Sequence, residues 1–164
     1  MKRLVLAAGL AVLVSAPLMT DASVLDPPPL LQGQTSRALF TVSGVTTAGG
    51  IGTYFSCTSA ATVSILVSVE LFDAAGTTPI NDASAVSVNL APGATVVFAT
   101  QNENDAFCNA VLLGAPVFLS GGSARILATQ KGLVCSAFLA DAYNAPPTSM
   151  VPLNVVAKNK QKGV

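Results

Sequence analysis

The amino-acid sequence predicts an all-β protein, an antiparallel sandwich of two sheets, and three observations carry that expectation. Nine short runs rich in Val, Ile, Thr and Phe are separated by Gly, Pro, Asn and Asp turn residues. The clearest of them, TVSILVSVELFD at 62–73, alternates with the period of two that marks a half-buried strand. After residue 22 the chain has no helical period of useful length. Strands at this spacing pack as two layers of sheet.

The first element is a leader. Met1-Lys2-Arg3 precedes an apolar run over 4–19, and small residues lead to an expected cleavage after Ala22, the three parts of an export signal. The run is broken by Pro17 and is short against the about 20 apolar residues of a spanning helix. No second apolar segment of that length follows, so the mature chain is expected to lack a transmembrane segment and to be secreted, periplasmic or held at the cell surface. Residues 23–37 contain Pro27-Pro28-Pro29 and Gln32-Gly33-Gln34, which disfavour helix and ladder alike and predict an extended Pro-rich N-terminal arm or linker. The sandwich domain is placed at 38–158, and 159–164 form a basic C-terminal tail.

Within the domain, strands are expected at 39–45, 53–58, 62–72, 85–90, 95–100, 111–119, 124–129, 133–140 and 153–158. In the third, Val63, Ile65, Val67, Val69 and Leu71 share one face, with Thr62, Ser64, Ser68 and Glu70 on the other. Leu66 and Phe72 interrupt that polar face, which predicts contact with a loop or a partner. Pro92-Gly93 between the fourth and fifth strands predicts a β-hairpin, because Pro pre-sets the first central dihedral of a turn and Gly accepts the positive one that follows. The segment 104–113 is the single helix candidate, with Asp105 as cap; a loop running into a strand is an equal reading.

The segments VELFDAAG and VNLAPGATVVF, with GSARILATQKGLVCSAFLAD and PPTSMVPLNVVAK, resemble the immunoglobulin-like and fibronectin-like sandwich modules of small exported bacterial proteins. The resemblance spans roughly 53–158. It implies an immunoglobulin-like fold and an exported location, and brings no catalytic residues with it.

An exported chain meets an oxidising compartment, where cysteines are more often paired than free. Cys57 and Cys135 lie in strands with apolar neighbours on their own faces, whereas Cys108 follows the polar stretch QNENDAF. The preferred disulfide is Cys57 with Cys135, leaving Cys108 as a free thiol; Cys57–Cys108 and Cys108–Cys135 stay open, since spacing alone does not settle connectivity. Cysteine catalysis would need an activating base, and the chain has no His.

The same absence removes the Ser-His-Asp arrangement and the commonest zinc ligand. Glu70, Asp73 and Asp141 are read as surface or turn residues and not as a catalytic pair. No cofactor and no metal are expected. Asn102, Glu103, Asn104 and Asp105 offer oxygen ligands but lack the spacing of a calcium loop, and are read as a hydrated loop with ligand-binding potential. Beyond the leader, six basic and seven acidic residues remain, which gives no electrostatic footprint for nucleic acid. These readings converge on a non-catalytic structural, adhesive or protein-interaction module, with homo-oligomers as one form of partnership. The alternative is a small-ligand or glycan-binding module that uses Tyr54, Tyr143 and the loop 101–109, the tyrosines being expected at the surface.

Overall fold

A computed structural model describes residues 24–101, 110–116 and 118–158. The segment 1–22 expected as a leader, the segment 159–164 expected as a tail and the loop residues Asn102, Glu103, Asn104, Asp105 and Cys108 lie outside the described residues.

The described chain has no helix and folds as two five-stranded sheets. Strands β1 (Arg37–Thr47), β3 (Ile65–Phe72), β4 (Val88–Leu90), β7 (Leu119–Ala128) and β10 (Val155–Ala157) form sheet I in the order β10-β1-β7-β3-β4. Strands β2 (Ile51–Ser59), β5 (Thr95–Ala99), β6 (Val111–Leu112), β8 (Leu133–Asp141) and β9 (Met150–Leu153) form sheet II in the order β6-β5-β2-β8-β9. Every pairing is antiparallel except β5–β6, which is parallel.

Alternation builds the core. Ile65, Val67, Val69 and Leu71 of β3 and Ala124, Ile126 and Ala128 of β7 point inward from sheet I. Phe55 and Cys57 of β2, Val96 and Phe98 of β5 and Ala137 of β8 meet them from sheet II. At about 25 cal/mol per Å² of apolar surface removed from water, this interlayer contact is the main stabilising term. One end of the sandwich is closed by hydroxyls: Thr53 Oγ1 accepts from Thr46 N (2.9 Å) and donates to Thr46 O (3.0 Å), while Thr100 Oγ1 accepts from Thr53 N (2.9 Å). These bonds join β1 of sheet I to β2 of sheet II where the chain changes layer.

The outer face of sheet I is covered as well. Strand β3 is buried at all eight positions, not the half predicted from its alternation. The reason is the N-terminal arm, which does not extend away from the domain: Leu31 is fully buried against Leu66, Leu127 and Ala83. Gln32 Nε2 donates to Ser87 Oγ at 3.2 Å beyond the proline run, the carbonyls of Val24 and Asp26 before it accept from Arg125 Nη1, and Ser36 Oγ closes the arm on itself by donating to Pro29 O at 2.6 Å. Leu66 therefore meets a segment of its own chain. Val63 stands outside β3 and is about half exposed.

Three expected elements differ. The Pro92-Gly93 turn forms, with Gly93 at φ 75° and Ala94 N donating to Ala91 O at 3.0 Å. It is not a hairpin, because Leu90 pairs with Ile65 in sheet I and Thr95 with Thr58 in sheet II. Turn residues dictate a reversal of direction but leave the hydrogen-bonding partner of each flanking strand open. The expected strand 111–119 is two elements, divided near Gly114, whose φ of 65° is left-handed. The expected strand 153–158 belongs to two sheets, β9 pairing with β8 and β10 with β1 on either side of Asn154. This C-terminal segment straps the open side of the sandwich.

Candidate functional site

Cys57 and Cys135 are direct register partners on the neighbouring strands β2 and β8, and they form a disulfide with their Cα atoms 4.2 Å apart. That separation belongs to a facing pair not hydrogen-bonded to each other, where side chains approach most closely. The bridge thus lies within sheet II, whereas antibody domains tie one sheet to the other. It serves as a staple, and its sulfurs are not free for chemistry.

Tyr54 and Tyr143 sit at the same end of sheet II, but only one of them is a surface residue. Tyr143 is 68% exposed, its ring lies over Gly50, and its hydroxyl accepts a hydrogen bond from Gln101 Nε2 at 3.2 Å. Tyr54 is fully buried, contrary to the expectation of an exposed platform. It occupies the middle strand of sheet II, where its ring stacks on Phe138 with centroids 5.7 Å apart and packs with Ala99, Ala110 and Ala140. A central place in the sheet is not enough to bury it, since Ser56 and Thr58 on the same strand and face stay half-buried; the stacked Phe138 ring and the packing of Ala110 cover Tyr54, and alternation along β2 does not reveal them. Burial pushes the Tyr54 phenol above its ordinary value, with the charge of Asp141 adding to the effect.

The acidic residues divide the same way. Asp141 accepts from Tyr143 N at 2.9 Å, from Asn144 Nδ2 and from Thr148 Oγ1 at 3.0 Å, and these bonds hold its carboxyl below the usual carboxylate range. Asp73 accepts from Ala75 N and Gly76 N, each at 3.0 Å. Both are turn residues, as expected. Glu70 is not a surface residue: it is 3% exposed on the outer face of β3, directly opposite Arg125 of β7.

Arg125 is the functional-site residue that sequence reasoning passed over. Its side chain is 2% exposed, and its Nε donates to Glu70 Oε2 in an ion pair largely covered by the arm. Nη1 donates to the carbonyls of Asp26 (2.6 Å) and Val24 (3.2 Å), and the guanidinium carbon stands 5.2 Å from the centre of the Phe72 ring. Above the pair, Pro27 and Pro29 of the arm and Pro79, Ile80 and Asp82 of the β3–β4 connection line an open cavity of about 710 Å³. The sole signal in the sequence was cross-strand: an Arg and a Glu on the outward positions of two apolar strands, which become a pair only once β3 and β7 are known to be neighbours.

Among the described residues no group of three or more Cys, Asp or Glu side chains is placed to share a metal ion. No helix among them is long and apolar enough to cross a membrane. No protein-family model, curated protein or solved structure matches this chain.

Proposed function

We propose that the protein is an exported, non-catalytic structural module with an immunoglobulin-like sandwich, and that it acts by associating with a second copy through the outer face of sheet II. One observation carries this reading. The centre of that face is covered, Tyr54 and Ala99 being buried, while the register row Val134–Thr58–Thr95 and the edge residues Met150 and Leu112 lie open around it, and no Lys, Arg, Asp or Glu projects from the outward positions of β2, β5, β6, β8 or β9. Val134 is 65% exposed, Met150 53% and Leu112 43%. Exposed apolar side chains on an uncharged, flat sheet mark an interaction surface. A second copy is the fitting occupant, because strand positions without charge offer no sign for a charged partner to match and are complementary to themselves.

The edges favour a face contact over strand addition. Pro152 has no N–H, so it takes the position of β9 that turns away from β8 and interrupts the donors along the free edge. The other edges, β4, β6 and β10, are two or three residues long. The disulfide supports an oxidising location and hence export. Absence of His from the sequence supports a non-catalytic role. A small-ligand role at the Tyr143 end has weaker support, since burial of Tyr54 leaves one exposed ring there.

Sedimentation velocity over a concentration series tests the proposal. The expected result is a reversible dimer that persists at high salt, because no ion pairs hold it, and that Val134→Lys weakens by about tenfold or more through burial of an unpaired charge. A monomer at every concentration, or a dimer indifferent to Val134→Lys, would sink it.

A further inference from the structure

The cavity over Arg125 and Glu70 lies on sheet I, on the side of the molecule opposite the face assigned to self-association. Its volume, about 710 Å³, is within the range of small-molecule and peptide pockets. Its walls are mixed, apolar at Pro27, Pro79 and Ile80 and polar at Asn81 and Asp82, and its charged floor is almost wholly withdrawn from water. That combination, apolar wall residues beside a few polar groups, is the ordinary make-up of a binding site.

The chemistry of the floor narrows the ligand. A guanidinium has five N–H donors, and Arg125 commits Nε to Glu70 and Nη1 to two arm carbonyls. Among the described residues Nη2 and the second carboxylate oxygen, Glu70 Oε1, make no hydrogen bond, and both side chains line the cavity. The floor therefore keeps a donor group and an acceptor uncommitted, with only a few per cent of each side chain open to the cavity. A free carboxylate would satisfy Arg125 but face Glu70 and the wall residue Asp82; an ammonium would satisfy Glu70 but face Arg125. A carboxamide satisfies both, because its carbonyl accepts from a guanidinium while its N–H donates to a carboxylate.

We propose that this cavity is a binding site for a neutral carboxamide carrying an apolar group, the chemistry of a peptide backbone or of a free small amide, with the amide on the Arg125–Glu70 pair and the apolar group against Pro27, Pro79 and Ile80. The ion pair is then a preformed recognition element as well as a structural one. The arm, whose carbonyls orient Arg125, shapes the site by holding the guanidinium in place.

The probes are N-acetylleucinamide and N-acetylleucine, which share the apolar group and differ in amide against carboxylate, titrated into the full protein and followed by amide NMR shifts. The expected result is a response at Ile80, Ala83 and Gly114 to the amide with a dissociation constant on the order of 1 mM, as suits so small a ligand, and a clearly weaker response to the carboxylate. Asp82→Asn, which keeps the oxygen that caps Ser84 and Ala85, should raise the response to the carboxylate relative to that to the amide. Tighter binding of a capped Ala-Leu-Ala amide than of N-acetylleucinamide identifies a peptide as the source, and weaker binding identifies a small amide. No response to either amide, or an equal response to the carboxylate in the unaltered protein, overturns the proposal. Neither result bears on association through sheet II.

Discussion

Arg125 and Glu70 show how a buried charge is tolerated at the scale of one residue. Each is costly to remove from water, and the cost is offset by their mutual contact, the arm carbonyls and the Phe72 ring. Such a pair contributes less to stability than it would cost to break. Arg125→Ala should therefore lower the unfolding free energy by about 3 to 5 kcal/mol, because Glu70 would be left uncompensated. Replacing both together, Glu70→Leu with Arg125→Met, should be nearly neutral. Urea unfolding of the single and double variants checks this, and equal losses in the two would refute the assignment of the cost to the orphaned charge. Gly122 is a second residue with a steric reason: a Cβ there would stand 2.4 Å from Phe72 O, so only glycine lets β7 run this close to β3.

At the scale of elements, the arm is what makes sheet I a buried layer. Prolines deny it a ladder, and it docks instead by side chains and by single hydrogen bonds. Leu31 is its anchor, seated between Leu66 and Leu127 on the outer face of the sheet. Leu31→Ala should cost about 2 to 5 kcal/mol, the range for emptying a fully buried leucine site. Hydrogen exchange at Leu66, whose N–H is bound to Thr129 Oγ1 beneath the arm, should accelerate with it. An unchanged unfolding midpoint would show that the arm contributes nothing to the cooperative unit. The C-terminal strap is the counterpart on the other side, where Asn154 lets one segment pair with both sheets.

For the whole molecule, the disulfide closes a span of 78 residues that includes every strand from β3 to β7. Restricting the unfolded chain over so long a loop stabilises by about 4.5 kcal/mol in the loop-entropy treatment, and measured bridges typically reach about 2 to 4 kcal/mol. The double variant Cys57→Ala, Cys135→Ala should lose stability in that typical range while retaining both sheets, since the core around Phe55, Phe98 and Ile126 does not depend on the sulfurs. Circular dichroism with guanidinium unfolding measures it. Loss of the β spectrum in the variant would mean that the bridge, and not the core, sets the fold.

The sequence by itself determined the β class, the place of most strands and the turn at Pro92-Gly93, and it favoured Cys57 with Cys135 while the structure settled that pairing. These depend on local quantities: the period of apolar residues, the dihedral needs of Pro and Gly, and the faces on which cysteines lie. Only the tertiary structure decided that β4 and β5 part company after their turn, that Tyr54 is sealed in the centre of sheet II, and that Glu70 faces Arg125 under a docked arm. Each of these is a matter of which strand or segment lies against another. A residue's own alternation says which side it points to, and only its non-local neighbours decide whether that side meets water, an opposite charge or another part of the chain.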